Sequence, residues 1–103
     1  MMQFDLYRNP SPRGRGEIPL LLDVQSDLLA SLNTRVVIPL SRGKGLAGIS
    51  RLMPEVLVEG EKLLLLTPQM AGVARRDLGE AVGSLAHLRQ DIVAAIDLLT
   101  RGI

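Results

Sequence analysis

The sequence predicts an α+β fold in which an antiparallel β-sheet of about five strands carries one long helix at the C-terminal end of the chain. Three observations predict it: strand-like segments fill the first two thirds of the chain, two of them form a clear hairpin, and an amphipathic segment of helical period ends the chain. With 103 residues the chain has the size of one domain, which we expect to span residues 1–103.

The first three strands are predicted from alternation and from β-branched composition. Gln3–Tyr7 alternates apolar and polar residues and is followed by an Asn-Pro turn signal. Ile18–Val24 is apolar except for one aspartate, and Arg35–Leu40 is rich in β-branched residues. Pro39 indicates that this third strand lies at an edge or ends there. Residues 25–33, between the two strands, fit a turn or a single helical turn.

The hairpin is the strongest strand signal in the sequence. Val56–Val58 and Leu63–Leu66 are joined through Glu59–Lys62, which supplies charge and a glycine that tolerates positive φ. A further short strand is possible at Met70–Val73. These segments complete a sheet that precedes the helix.

The terminal helix is predicted over Ser84–Ile103. Ser84 is the predicted N-cap, and Gly102 occupies the position of a left-handed C-cap residue. Apolar residues recur at helical spacing and form the stripe that must be buried: Leu85, Leu88, Ile92, Ile96 and Leu99. The opposite face carries His87, Gln90, Asp97 and Arg101.

Composition narrows the class of protein. The chain has no cysteine, which excludes disulfides and thiolate chemistry and fits a reducing cytoplasm. No apolar run approaches the roughly 18 residues of a membrane span. A net charge of +1 gives no overall electrostatic signature of nucleic-acid binding.

Motifs for catalysis are missing from the sequence. The single histidine, His87, has no predicted catalytic partner, and the carboxylates are scattered singly rather than at metal-ligand spacing. The glycine-rich segment at Ser41–Ser50 has the wrong order for a phosphate-binding loop, since no hydroxyl residue follows Lys44. The residues therefore favour a binding protein over an enzyme, with no catalytic residue, cofactor or metal.

Several stretches together resemble the CcdB toxins of bacterial toxin–antitoxin modules. The central one is Asp23-Val24-Gln25-Ser26-Asp27-Leu28-Leu29, followed by Arg35-Val36-Val37-Ile38-Pro39-Leu40. Similar segments lie at both ends and in the middle: Met2–Phe4, Pro54–Ala71, Asp91-Ile92, Ala95-Ile96 and Gly102-Ile103. The loops at residues 9–17 and 41–51 match least.

The resemblance implies a homodimer of the SH3-like barrel architecture shared with MazF/Kid-like proteins. It further implies a toxin that binds the A subunit of DNA gyrase, traps the cleaved DNA–gyrase complex and is neutralised by a CcdA-like antitoxin. Operator DNA would be bound only together with the antitoxin, and no membrane is involved. The implied gyrase-binding residues are Leu28, Leu29, Asp97, Thr100, Arg101, Gly102 and Ile103.

Arg101 stands where the family carries tryptophan before the final Gly-Ile. Tryptophan is a large apolar anchor, whereas arginine must anchor by stacking, by a cation–π contact or by pairing with a carboxylate. Asp97 lies four residues earlier, so the two side chains can also pair with each other on the helix surface. Either Arg101 retains gyrase binding, or this protein has lost poisoning and binds only antitoxin.

The basic loops leave further alternatives open. We expect Arg13, Arg15, Arg42 and Lys44 to receive an acidic, disordered segment of the antitoxin. The same loops and the related architecture also fit a ribonuclease toxin. For the Arg-Gly repeats at residues 13–16, an ordinary solvated loop is the simpler interpretation.

Overall fold

The computed structural model describes residues 2–14, 16–43 and 51–102. They form a curled antiparallel sheet of seven strands with one C-terminal α-helix, which confirms the α+β class. The strands are β1 Asp5–Arg8, β2 Leu20–Asp23, β3 Thr34–Ser41, β4 Glu55–Val58, β5 Glu61–Leu65, β6 Ala71–Ala74 and β7 Ala81–Ser84, and the helix is α1 Arg89–Arg101. Their order across the sheet is β4-β5-β3-β2-β1-β7, with β6 also paired to β3.

The predicted hairpin is confirmed as β4 and β5. Val58 pairs with Glu61, so the connection consists only of Glu59 and Gly60, and both have positive φ, 51° and 82°. Two consecutive residues of positive φ make the primed turn whose twist matches that of the flanking strands. The possible strand at Met70–Val73 is also confirmed, as β6.

Pro39 does not lie in an edge strand, contrary to the sequence prediction. β3 is central, with β2 along one side and two strands sharing the other: β6 beside Thr34–Val37 and β5 beside Leu40–Ser41. Pro39 sits where one partner gives way to the next, and its carbonyl accepts from Leu66 N on that side at 2.9 Å. Proline has no N–H, and an N–H at position 39 would point towards β5 and β6 rather than towards β2. The pairing of β3 with β2 therefore loses no hydrogen-bond donor.

The helix begins later than the sequence predicts. Residues Ala81–Ser84 form β7, and Ser84 pairs with Asp5 of β1. The Ser84 hydroxyl accepts from Ala86 N at 3.1 Å, so it holds the first residue of a 3-10 turn rather than capping the α-helix. Leu85 N then donates to the Phe4 carbonyl at 2.8 Å, which keeps the chain on the sheet for one more residue. A 3-10 turn at Ala86–Leu88, which contains His87, leads into α1. The predicted C-cap is confirmed, since Gly102 adopts φ 76° and donates to Leu98 O.

The core lies between one face of the sheet and α1. Ile92 is fully buried in a cluster with strand residues such as Leu22, Ile38 and Leu65, and Ala95 is also fully buried. Burial decreases along the helix: Ile96 is only partly buried and Leu99 is 38% exposed, so the predicted apolar stripe does not stay covered to its end. The last turn of α1 thus extends past the core. No helix within the described residues is long and apolar enough to cross a membrane.

Candidate functional site

A short turn after β2 presents leucine side chains to solvent. Residues Asp27–Leu29 form a single 3-10 turn, called here the leucine turn. The side chain of Leu28 is 94% exposed and that of Leu29 is 47% exposed. Exposed leucines in adjacent positions leave apolar surface uncovered, which is typical of a contact surface when the backbone around them is fixed.

The backbone of the leucine turn is fixed from the sheet by Gln25. Its side-chain Nε2 donates to Leu29 O at 3.0 Å, and its Oε1 accepts from Val36 N at 3.1 Å. Gln25 is itself held by Asp23, whose Oδ1 accepts from Gln25 N at 3.0 Å. Asp23 Oδ2 accepts in turn from Arg35 Nε at 2.8 Å, and both side chains of this ion pair are fully buried. The exposed turn therefore rests on a buried polar network.

Outside this network, Gln3 and Arg75 also hold the leucine turn and the residues just after it. Gln3 N donates to Asp27 Oδ1 at 2.8 Å, which joins the start of the turn to the N-terminal segment. At the other end Arg75 Nη2 donates to Ala30 O, and Arg75 N donates to Asn33 O at 2.7 Å. Hydrogen bonds from three separate parts of the chain therefore hold the leucine turn and the residues that follow it.

The end of α1 is the second predicted contact surface. Thr100 is exposed, and its Oγ1 donates to Ile96 O within the helix at 2.9 Å. Arg101 and Gly102 are exposed, while Asp97 is half-buried. Among the described residues, Asp97 and Arg101 form no ion pair with each other or with any other side chain. The predicted Asp97–Arg101 pair is therefore not present, and the guanidinium of Arg101 is available to a partner. Ile103 lies outside the described residues.

No hydrogen bond or ion pair links the leucine turn to the end of α1 within residues 2–14, 16–43 and 51–102. The two predicted gyrase-binding surfaces are held independently of each other, the first by the polar network and the second by the helix.

The basic residues predicted to bind antitoxin differ in their surroundings. Arg13 is exposed in a loop turn and makes no hydrogen bond or ion pair in the described part of the chain. Arg42 is engaged, since its Nε donates to Glu61 Oε2 at 2.7 Å and its Nη1 to Gly16 O at 2.6 Å. Arg42 thereby ties the N-terminal loop to β5. Arg15 and Lys44 lie outside the described residues.

The chain matches the model of one protein family over almost its whole length. The family model for the CcdB protein matches residues 3–102 of the 103-residue chain. The chain belongs to the CcdB family. It is accordingly a protein of the toxin class of toxin–antitoxin systems.

Membership of the CcdB family agrees with the resemblance seen in the Asp23–Leu29 segment. The structure shows what the residues of this segment do. Asp23 and Gln25 are the buried members of the network, while Leu28 and Leu29 are exposed. The segment thus combines residues that fix the turn with residues that project from it.

The buried pair of Asp23 and Arg35 was missed by reasoning from the sequence. The two residues are twelve positions apart on neighbouring strands, so no local spacing links them. The only signal was a charged residue within each of two otherwise apolar strand segments, because a charge in such a position requires a partner.

Titratable groups in the described residues show no cluster suited to metal binding, and His87 is exposed in the turn before α1. One group stands out: burial raises the pKa of Tyr7 above its ordinary value of 10.0, and the nearby carboxylates of Asp5 and Asp23 raise it further. Tyr7 lies on the same face of the sheet as Asp23 and has no evident part in the leucine turn.

Proposed function

We propose that this CcdB-family toxin binds the A subunit of DNA gyrase and traps the gyrase complex with cleaved DNA. The observation that carries the proposal is the leucine turn, where Leu28 is 94% exposed on a backbone held by Gln25 and Arg75. A preorganised apolar contact loses little conformational entropy on binding. The toxin would act in the cytoplasm by binding rather than catalysis, without cofactor or metal.

The second contact is the end of α1, with Asp97, Thr100, Arg101, Gly102 and Ile103. Arg101 is exposed and has no ion-pair partner among the described residues, so its guanidinium can pair with a carboxylate or stack on an aromatic ring of gyrase. This contact would replace the apolar anchor that tryptophan gives other members of the family.

The remaining partners follow from the same proposal. The protein would be a homodimer, neutralised by a CcdA-like antitoxin, and would bind operator DNA only together with that antitoxin. The acidic antitoxin segment would contact Arg13, Arg15, Arg42 and Lys44, of which Arg13 has the freest side chain in the described part of the chain.

A gyrase cleavage assay tests the proposal. Purified protein is incubated with gyrase, ATP and supercoiled plasmid, and linear DNA is measured after denaturation. We expect linear DNA to accumulate, and we expect Arg101→Ala to reduce it by roughly tenfold because interface arginines often contribute 1–2 kcal/mol or more. Deleting residues 101–103 should abolish it without unfolding the protein, since the buried helix residues Ile92 and Ala95 remain.

Gln90→Ala is the matched control, because Gln90 is also an exposed polar residue of α1 but lies at its other end. It should leave the yield of linear DNA unchanged. If no linear DNA forms, while a gyrase inhibitor of known action produces it in a parallel reaction, the protein does not poison gyrase.

Arg101 also favours a second candidate, a non-toxic member that binds only antitoxin. Harmless overexpression of a folded protein that still binds antitoxin would support it. A ribonuclease toxin of the related MazF/Kid-like architecture is excluded if RNA stays intact at high protein excess.

A further inference from the structure

We infer that Arg75 is a positioning residue for the contact made by the leucine turn. The inference rests on the proposed function, in which Leu28 and Leu29 contact the target. Arg75 lies in a 3-10 turn after β6, far from the leucine turn in sequence, and its Nη2 donates to Ala30 O. It reaches the turn from the outside, where its own side chain is exposed to solvent.

The leucine turn needs such support because it has little stability of its own. A 3-10 turn of three residues contains few internal hydrogen bonds of poor geometry. Here they run from Leu29 N to Ser26 O at 2.9 Å and from Ala30 N to Asp27 O at 3.2 Å. None of the three residues of the turn is buried, so packing does not fix them.

Two consecutive carbonyl groups at the end of the turn are held from opposite sides. Leu29 O accepts from the buried amide of Gln25, and Ala30 O accepts from the guanidinium of Arg75. These carbonyls lie in the two peptide planes that meet at the Ala30 Cα, so holding both fixes the backbone where the chain leaves the turn, directly after Leu29. The inner contact, from Gln25 to Leu29 O, is anchored in the core. The outer contact, to Ala30 O, comes only from Arg75 among the described residues.

Arg75→Ala is an informative variant because the outer contact lies at the surface. Loss of one exposed hydrogen bond should change the unfolding midpoint little. The end of the turn gains conformational freedom, which must be lost again on binding, so affinity for purified gyrase A subunit should fall by roughly tenfold. Arg75→Lys keeps a charged donor and should restore part of the affinity.

Arg76→Ala is the matched control. Arg76 is the adjacent arginine of the same turn, is also exposed, and its side chain forms no hydrogen bond or ion pair within the described residues. Its removal changes the net charge by the same amount but should leave affinity within about twofold of the wild type.

A double-mutant cycle with Leu28→Ala separates positioning from direct contact. If Arg75 acts through the turn, Arg75→Ala should lower the affinity for gyrase A subunit by less than about twofold in the Leu28→Ala background. When Leu28 is intact, the effect of Arg75→Ala should not depend on salt. A loss that persists in the Leu28→Ala background, or that disappears at high salt, would show that Arg75 contacts the target directly and would overturn the inference.

Amide hydrogen exchange tests the holding of the turn without any partner. The amides of Leu28, Leu29 and Ala30 should exchange at least roughly threefold faster in Arg75→Ala than in Arg76→Ala. Equal exchange in the two variants would overturn the inference even if gyrase binds. If wild-type protein does not bind gyrase, the proposed function fails, and the exchange result alone decides whether Arg75 holds the turn.

Discussion

Asp23 and Arg35 show at the scale of single residues what fixes the leucine turn. Both side chains are fully buried, and Arg35 Nη1 has no hydrogen-bond partner among the described residues. Desolvating two charges costs free energy that their attraction repays only in part. What the pair supplies is a fixed carboxylate, which holds Gln25 N and, through the Gln25 side chain, the turn.

Tyr7 allows a prediction about alkaline stability. Burial, followed by the negative charges of Asp5 and Asp23, raises the pKa of its hydroxyl above 10.0, so the fold favours the neutral phenol. A group of this kind contributes stability that is fully present below the unfolded pKa and is lost as pH rises through the folded value. The free energy of unfolding should therefore decrease above about pH 10.

The measurement is direct because Tyr7 is the only tyrosine and the chain has no tryptophan. Phenolate absorbance of the folded protein should titrate at higher pH than that of the protein in denaturant. Tyr7→Phe should remove this part of the alkaline decrease in stability. Coincident titration curves in the folded and denatured states would contradict the prediction.

At the scale of elements, three glycines should respond differently to alanine. Gly60 has φ 82° and open space where the Cβ of an alanine would lie, so Gly60→Ala should cost only the left-handed strain of about 1 kcal/mol. Gly72 in β6 has no positive φ, and no described residue lies within 4 Å of that position, so Gly72→Ala should be neutral or slightly stabilising. At Gly79 a Cβ would lie 2.5 Å from Arg8 O, so Gly79→Ala should lower the free energy of unfolding the most.

Chemical denaturation of the three variants gives their free energies of unfolding and checks this order. The slope against denaturant concentration should be the same in all three, so that the values can be compared. A loss at Gly72 as large as that at Gly60 would show that the turn conformation is not the cause.

The hairpin could be predicted from the sequence because the Glu-Gly pair and the apolar runs beside it act locally. β7 could not, because Gly83 and Ser84 are poor strand formers and become a strand only through pairing with β1. The same holds for the functional surface: the helix end and its glycine cap are evident in the sequence, but Arg75 reaches Ala30 across 45 residues. Contacts made only by the tertiary fold leave no local pattern.

At the scale of the whole molecule, the residues of the core are separate from the two surfaces proposed to contact gyrase. The core joins the sheet to the first turns of α1, and Arg89 adds a cation–π contact 5.7 Å from the Phe4 ring centre. The leucine turn and the last turn of α1 project beyond this core. Substitutions in either surface can therefore be tested for binding in folded protein.

The charge distribution gives the last prediction, which concerns the antitoxin. With a net charge of only +1, any attraction for an acidic segment must come from local basic residues. Arg13 has no partner among the described residues, whereas Arg42 already contacts Glu61 and Gly16. Arg13→Glu should weaken binding of an acidic antitoxin peptide by roughly threefold to tenfold at low salt without changing the unfolding midpoint.

Arg42→Glu should weaken the same binding and also lower the free energy of unfolding, by less than about 1 kcal/mol, because the lost ion pair with Glu61 is partly exposed to solvent. Titration calorimetry at low and high salt gives the affinities, and Arg76→Glu is a control of equal charge change at another exposed arginine. Both losses should shrink as salt screens the interaction. Affinity that responds neither to salt nor to Arg13→Glu and Arg42→Glu would show that the antitoxin binds elsewhere, and the exposed leucine turn would then be the next surface to test.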